Sequence, residues 1–150
     1  MEIKKILWPT DLSENAAAAL PYVTSLTQKY QSEIHLLYVA QDLGHHEAWY
    51  GEFNAEHIAK LSDWELKIAE KRLEELCTNH LEGCPLYHKH IVIGDPAEEI
   101  IKAINKEGVD LVVMATHGSK GHFRFGSVTD RVVKNSLVPV LTVNPLKSKK

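Results

Sequence analysis

Five short apolar runs alternate with longer amphipathic stretches, and this alternation limits the possible folds of the chain more than any other feature. The runs cover residues 3–8, 33–40, 86–93, 109–115 and 138–143. Strands that alternate with helices pair in parallel through right-handed crossovers, which places helices on both faces of one sheet. The sequence therefore predicts an α/β three-layer sandwich with a five-stranded parallel sheet.

The apolar runs differ in whether polar residues alternate with the apolar ones. Runs 109–115 and 138–143 are rich in valine and leucine without polar alternation, which is typical of strands buried on both faces. In run 86–93, His88 and His90 alternate with apolar positions. That alternation predicts a more exposed strand near an edge of the sheet.

Capping residues and apolar spacing place helices between the strands. The predicted helices cover residues 15–30, 54–80, 97–106 and 127–136. Ser13 is a suitable N-cap for the first helix, and Pro21 predicts a kink or a restart one turn into it. Apolar residues, Trp64 among them, recur at three- and four-residue steps in the longest helix. Gly108 closes the third helix, and residues 41–53 are predicted as a loop.

Length and composition limit the class of protein. A chain of 150 residues is expected to form one domain, here 1–150, and to bury roughly 68–70% of its unfolded surface. Apolar residues make up 44% and charged residues 25%, which excludes a globally disordered chain. The net charge of -3 argues against a nucleic-acid module held by bulk positive charge, and no apolar run is long enough to span a bilayer.

The cysteines and the N-terminus bear on the compartment. Cys77 and Cys84 enclose six residues, a spacing that matches no metal-binding or thioredoxin-type motif. The first residues carry charges inside a predicted strand and lack a cleavage-type segment. We therefore expect a cytoplasmic protein in a reducing compartment.

The topology points to the loop after the first strand as a binding site. Open parallel sheets bind ligands beyond the carboxyl ends of the strands, where the winding direction reverses. Both common orders of five strands place the first strand beside this point, so the loop from Pro9 is a candidate. The Asp11 carboxylate in this loop is suited to accept hydrogen bonds from ribose hydroxyls. The alternative is a carboxylate that only favours a helix start.

A glycine-rich segment after the fourth run has the chemistry to hold phosphates. Its glycines are Gly118, Gly121 and Gly126. Gly126 and Ser127 begin a helix whose free N–H groups and dipole attract anions. Ser127 and Thr129 add hydroxyl donors, while Lys120 and Arg124 add two cations. The alternative is a flexible connection in which Ser127 is only an N-cap.

This segment differs from two common nucleotide motifs. Gly121 and Gly126 have the glycine spacing of a Walker A loop, but Ser127 stands where the lysine would be. The dinucleotide fingerprint belongs after the first strand, where this chain has Pro9, Thr10 and Asp11 instead. Both motifs are therefore excluded.

Six segments together match one protein family. They are Pro9-Thr10-Asp11, Tyr38-Val39, Gly94-Asp95-Pro96, Met114-Ala115-Thr116-His117-Gly118, Gly126-Ser127-Val128-Thr129 and Val138-Pro139-Val140-Leu141. Over nearly its whole length the chain resembles the universal stress proteins of the ATP-binding type. The family motif Gly-x2-Gly-x9-Gly-Ser/Thr falls on Ala115, Gly118 and Gly126-Ser127. Ala115 replaces the first glycine, and seven residues separate Gly118 from Gly126.

The resemblance implies a fold, a ligand and a set of binding residues. The fold would be Rossmann-like, of the adenine-nucleotide-hydrolase type, with strand order 3-2-1-4-5. The ligand would be ATP, ADP or AMP, with Mg²⁺ as a candidate companion ion. The candidate binding residues are Pro9, Thr10, Asp11, Val39, Met114, Ala115, His117, Gly118, Gly126, Ser127, Val128 and Thr129. Asp11 would bind the ribose and Val39 the adenine, with Met114 near the base, while Gly118, Gly126 and residues 127–129 would hold the phosphates.

The resemblance also implies a regulator of stress physiology that acts by binding. It implies a homodimer that pairs through the last strand, from Val138 to Val143, and a protein partner whose identity stays open. Two alternatives remain: an interaction module that needs no nucleotide, and a slow ATPase. Catalysis is poorly supported because the Walker lysine is missing and Asp130 is explained as a carboxylate at a helix start. We therefore expect no catalytic residues.

Histidines provide the candidate metal ligands. His45 and His46, followed by His57, are the first group, but adjacent histidines point in divergent directions and no cysteine or carboxylate pattern accompanies them. His88 and His90 share one strand face and could form a surface zinc site, although exposed histidines are common on edge strands. We expect no metal site from the sequence.

Overall fold

Strands and helices alternate along the part of the chain that a computed structural model describes, which comprises residues 2–40, 55–80, 87–117 and 127–145. The elements are, in chain order, β1 (Lys5–Pro9), α1 (Glu14–Ala17), α2 (Leu20–Tyr30), β2 (Glu33–Ala40), α3 (Ala55–His80), β3 (Tyr87–Ile93), α4 (Pro96–Glu107), β4 (Leu111–Ala115), α5 (Ser127–Asn135) and β5 (Val140–Val143). Each predicted strand and helix is found, with boundaries that differ by a few residues.

One parallel sheet joins the strands in the order β3-β2-β1-β4-β5. Ile6 of β1 pairs with Ile34 of β2 on one side and with Leu111 of β4 on the other. The predicted order 3-2-1-4-5 is therefore confirmed. Because β1 lies between β2 and β4, its carboxyl end lies at the point where the winding direction reverses.

Apolar side chains form a layer on each face of the sheet. On one face, Trp8 and Leu36 pack with Val23 of α2 and Leu73 of α3. On the other face, strand residues pack with helices α4 and α5. This second set includes Leu7, Leu37, Val112, Ile100, Ile104 and Val132. Helices on both faces make the three layers that the alternation predicted.

The capping predictions are confirmed. Ser13 Oγ accepts the N–H of Ala16 at 3.1 Å and caps α1. The helical segment predicted over 15–30 is interrupted before α2, which restarts with Pro21 in its first turn. α4 ends at Gly108, whose left-handed conformation (φ 64°) terminates the helix without a side-chain clash.

The predicted burial of the last strand on both faces is wrong. Among the described strands, β5 has only β4 as a neighbour, Leu141 is 38% exposed, and Val143 is the one buried residue of the strand. An uninterrupted apolar run does not reveal that a neighbouring strand is missing. Trp64 of α3 is 65% exposed, although its spacing places it with the apolar residues of the helix.

β3 is a half-exposed edge strand, as its alternating pattern predicted. Within the described ranges, no helix combines the length and the apolar character that a membrane span requires. The predicted loop 41–53, His45, His46 and Cys84 lie outside the described residues.

Candidate functional site

The turn after β1 leaves the carboxyl edge of the sheet. Thr10 is buried, and its N–H still donates to Leu37 O at 2.9 Å, so the chain departs from the sheet only at Asp11. The Asp11 carboxylate accepts the N–H of Ser13 at 2.9 Å, and Thr10 Oγ1 accepts the N–H of Leu12 at 3.0 Å. Leu12 has a left-handed backbone (φ 65°). These contacts hold the exposed Asp11 beside the end of β1.

Helix α3 contributes two contacts to this end of the sheet. The Arg72 guanidinium donates to Leu12 O at 2.7 Å, and the Tyr38 hydroxyl donates to Glu65 Oε1 at 3.1 Å. Burial, reinforced by the Glu65 carboxylate, raises the pKa of Tyr38 to about 12. Tyr38 therefore stays a neutral donor at physiological pH. Neither Arg72 nor Glu65 could be predicted as a partner, because both contacts depend on how α3 packs.

β4 is followed by two buried polar residues, Thr116 and His117. Thr116 Oγ1 lies 2.7 Å from His117 Nδ1, and each residue is less than one-tenth exposed. The other ring nitrogen, His117 Nε2, is also buried and has no hydrogen-bond partner among the described residues. A buried polar atom without a partner costs about 1–3 kcal/mol. His117 Nε2 is therefore suited to a hydrogen bond with a ligand at this edge.

The first turn of α5 is tied to the end of β4. Thr129 Oγ1 donates to Ala115 O at 2.9 Å, and Thr129 is only 4% exposed. Ser127 is exposed at the start of the helix, and Val128 packs against the core beside α4. The first N–H groups of a helix have no partners within it, and the helix dipole attracts anions. This edge therefore presents an anion-binding helix end one strand away from Asp11.

The structure brings most of the predicted binding residues to this edge. Pro9 ends β1, Val39 is half-buried near the end of β2, and Met114 and Ala115 are buried at the end of β4. The Thr129 hydroxyl is directed to Ala115 O, so its interaction is with the protein itself. Further predicted phosphate-binding residues lie outside the described residues, namely Gly118, Lys120, Arg124 and Gly126.

The site combines groups that suit the separate parts of a nucleotide. The Asp11 carboxylate is an acceptor for sugar hydroxyls, and the start of α5 provides donors for an anion. The apolar ends of β2 and β4, at Val39 and Met114, lie next to these polar groups. The sequence predicted these residues but missed Thr116 and the unpartnered nitrogen of His117, whose burial depends on the packing around them.

A second polar cluster lies at the opposite end of the sheet. His88 and His90 share a strand face, as predicted, and the register of β2 and β3 adds the buried His35 beside them. His35 Nδ1 lies 3.0 Å from His90 Nε2. His35 was not predicted as part of this cluster, because a single histidine within an apolar strand gives no signal until its neighbouring strand is known.

Similar proteins were found by sequence. The profile of the Universal stress protein family matches residues 2–144. Universal stress protein MJ0577 of Methanocaldococcus jannaschii is 34% identical in an alignment 152 positions long. The alignment covers 93% of this chain and 94% of that protein. A solved structure of MJ0577 superposes with a TM-score of 0.83 at 33% identity, covering 96% of this chain and 97% of that one.

Two more distant structures contain a nucleotide. A universal stress protein from Archaeoglobus fulgidus in complex with dAMP has a TM-score of 0.65 at 16% identity, and covers 96% of this chain and 100% of that one. A universal stress protein in complex with cAMP has a TM-score of 0.63 at 16% identity, with 97% and 99% covered. These two establish a shared fold. Together with the profile and the similarity to MJ0577, the fold and its site lead to the conclusion that this chain belongs to the universal stress protein family.

Proposed function

We propose that this chain binds an adenine nucleotide at the carboxyl edge of its sheet and acts as a regulator through occupancy of that site. The observation that carries the proposal is the 2.9 Å hydrogen bond from Thr129 Oγ1 to Ala115 O, which fixes the start of α5 at the end of β4. A helix start in this place suits a phosphate, and Asp11 on the neighbouring strand suits a ribose.

The class of nucleotide is supported by relatives. The two distant family structures hold dAMP and cAMP, which share an adenine base, a sugar and one phosphate. ATP, ADP and AMP contain the same parts, with Mg²⁺ as a companion for the longer phosphate chains. The proposal covers all three nucleotides, and titration with each decides which is preferred.

Calorimetric titration of tag-free protein with ATP, ADP and AMP, each with and without Mg²⁺, tests the proposal. In Asp11→Asn the amide oxygen still accepts the Ser13 N–H while the charge is lost. A hydrogen bond to a charged group contributes about 1.5–3 kcal/mol, so we expect the affinity to fall by about tenfold or more.

The matched control is Asp110→Asn at the opposite edge of the sheet. Asp110 also accepts backbone N–H groups through its carboxylate, from Lys4 at 2.9 Å and Lys5 at 3.0 Å. Its substitution should leave nucleotide affinity unchanged. Absence of binding for all three nucleotides at millimolar concentration would overturn the proposal.

The proposal includes little or no catalysis. The described part of the site offers a helix start, a carboxylate and an imidazole, which suffice for binding. Slow ATP hydrolysis is the competing activity. Turnover that is abolished in Ser127→Ala, with nucleotide affinity retained, would establish an ATPase and contradict this part of the proposal.

The edge strand β5 favours a second element of function, a homodimer that pairs through the segment from Val138 to Val143. We propose that this dimer acts in the cytoplasm. Val133 and Leu141 are 44% and 38% exposed, and Leu137 is 86% exposed. An unpaired strand edge flanked by apolar side chains favours pairing with a second copy. Light scattering should give a dimer mass for the native chain and a monomer mass for Leu141→Glu. If the monomer instead responds fully to nucleotide and partner, dimerisation is not required.

A further inference from the structure

The histidine cluster at the amino-terminal end of the sheet lies apart from the nucleotide site. His35 is the third residue of β2, whereas Val39 lies at the carboxyl edge four residues later, or about 13 Å along the strand. His35 pairs with His88 in the register of the two strands, and their rings stack with centroids 4.7 Å apart. Glu33, two residues before His35, lies on the same face of the sheet.

A hydrogen bond between two imidazoles fixes the orientation of His35. His35 Nδ1 lies 3.0 Å from His90 Nε2, and the two rings are nearly parallel, with 6° between their planes. With the proton on His35 Nδ1 and the lone pair on His90 Nε2, this contact is a hydrogen bond donated by His35. The lone pair of His35 is then on Nε2, which is the form in which imidazole binds a metal ion.

In this tautomer the Nε2 lone pair of His35 faces two further potential acceptors, Glu33 Oε2 and His88 Nε2. The His35 side chain is only 4% exposed, and its Nε2 has no hydrogen-bond partner among the described residues. Glu33 Oε2 lies 3.5 Å from His35 Nε2 and 3.8 Å from His88 Nε2. Both distances exceed those of ordinary hydrogen bonds. Three potential electron donors therefore converge, and a positive charge between them would relieve their repulsion.

A metal ion suits this position, because neutral imidazole and carboxylate are its usual ligands. The buried His35 offers one imidazole nitrogen, and the half-exposed His88 and Glu33 offer a second imidazole and a carboxylate.

The distances suit a small tetrahedral ion. Bonds of 2.0–2.2 Å from zinc to nitrogen and oxygen place tetrahedral ligand atoms about 3.3–3.6 Å from one another. The potential ligand atoms of Glu33, His35 and His88 all lie within 4.8 Å of one another, so small side-chain shifts suffice. Glu33 and His88 have side chains 36% and 43% exposed, which leaves a path for the ion and a position for water.

We propose that Glu33, His35 and His88 form a binding site for a divalent transition-metal ion of the zinc class. His90 is a positioning residue, because its Nε2 holds the His35 ring through the contact with His35 Nδ1. This site lies on the β2–β3 edge, and its ligands come from two strands that already pair.

A neighbouring group of side chains offers the main alternative. His35, His90 and Glu107 also lie close enough to share an ion. That arrangement would break the hydrogen bond between His35 and His90. It would also place the ion on the side of Lys5, whose ammonium lies 3.1 Å from Glu107 O. The geometry therefore favours Glu33 and His88.

Competition between tag-free protein and a chromophoric chelator, with zinc as the probe, tests the proposal. Native protein should bind one zinc ion per chain with saturation. His88→Ala and Glu33→Gln alter half-exposed side chains, so both variants should fold, as circular dichroism will verify. Each variant removes one of three ligands, and we expect the dissociation constant to rise by about tenfold or more.

Control variants on the same elements separate the site from general surface effects. Lys89 lies between the two histidines of β3, but its ammonium contacts Glu74 of α3 at 2.8 Å, on the other face. Lys89→Ala should leave zinc affinity unchanged, and so should Glu70→Gln on the exposed surface of α3.

Two variants test the role of His90. His90→Leu should weaken zinc binding about 10–100-fold, whereas His90→Gln keeps an acceptor and should retain most of the native affinity.

The outcomes that overturn the proposal are specific. The first is the absence of saturable zinc binding in the micromolar range. The second is binding that survives both His88→Ala and Glu33→Gln. The third is binding lost in Glu107→Gln but kept in Glu33→Gln, which would assign the ion to the alternative group of side chains.

Discussion

The two ends of the sheet each hold a buried histidine with one ring nitrogen in contact with a neighbouring side chain and the other without a partner among the described residues. At the carboxyl edge, His117 Nδ1 contacts Thr116 Oγ1 at 2.7 Å, and at the amino-terminal edge His35 Nδ1 contacts His90 Nε2 at 3.0 Å. In both residues Nε2 is the nitrogen without a hydrogen-bond partner in the described chain.

The surroundings of the two imidazoles differ in charge. His117 follows the strand to which the start of α5 is tied, where a helix dipole favours an anion. His35 faces the Glu33 carboxylate and a second imidazole, which together favour a cation. A buried histidine alone therefore does not identify a ligand. The groups opposite its free nitrogen decide whether an anion or a metal ion suits the site.

We expect the two ends of the sheet to bind their ligands independently. A ligand at 100 times its dissociation constant stabilises the folded chain by about 2.7 kcal/mol. Zinc and ATP, each at that free concentration after correction for the chelation of zinc by ATP, should therefore each raise the melting temperature by about 5–10 °C. Because the sites are about 13 Å or more apart, the increments in free energy should add when both ligands are present. Thermal unfolding with neither, either and both ligands measures this, and a combined increment well below the sum would contradict independence.

The carboxyl edge is tested by removing the bond between α5 and β4. Thr129→Val leaves Ala115 O without its donor, at a cost of about 1–3 kcal/mol in the free energy of unfolding. The start of α5 is then held less firmly, so nucleotide affinity should fall while zinc affinity is unchanged. Thr24→Val is the matched control, because Thr24 also donates to backbone carbonyls but lies in α2. Equal nucleotide affinities of the two variants would show that this bond does not position the site.

The smallest effect is expected at Asp95, which caps α4 at the carboxyl edge. Its carboxylate accepts the Glu98 N–H at 3.0 Å and contacts Arg131 of α5. The Glu98 N–H and then the Arg131 guanidinium lower the pKa of Asp95. Asp95→Ala should cost about 1 kcal/mol at pH 7.

The pH dependence of this cost follows from the lowered pKa. A group with a depressed folded pKa contributes its stability above the unfolded pKa, about 3.9 for aspartate, and loses it as the pH falls through the folded value. The difference between native chain and Asp95→Ala should therefore shrink below about pH 4 in urea titrations. Asp63→Ala, at an exposed position of α3, is the control and should change stability by less than about 0.5 kcal/mol. A cost at Asp95 that is constant with pH would argue against a charged cap.

The fold was predictable because its signals are local. Ser13, Pro21 and Gly108 each fix the backbone through their own chemistry, so the starts and ends of helices followed from single residues. The strand order followed from the family resemblance. The exposure of β5 was not predictable, because an apolar run does not state how many neighbours a strand has.

The candidate sites were predictable to different extents. Asp11 and Ser127 could be placed because they follow strands whose carboxyl ends share one edge. His35 and Glu33 could not, because the contact with His88 depends on the register between β2 and β3. Arg72 was missed for a similar reason, since its bond to Leu12 O spans 60 residues.

The central position of β1 has a consequence for biosynthesis. β1 is made first, but one of its two neighbours is β4, and the contact between Lys5 and Asp110 joins residues 105 positions apart. At about 5–20 residues per second, a ribosome needs roughly 5–20 s to extend the chain from Lys5 to Asp110. During that interval Ile6 and Leu7, which are fully buried in the finished protein, lack their β4 partners Leu111 and Val112. The first strand therefore exposes the nascent chain to aggregation until β4 has been released from the ribosome.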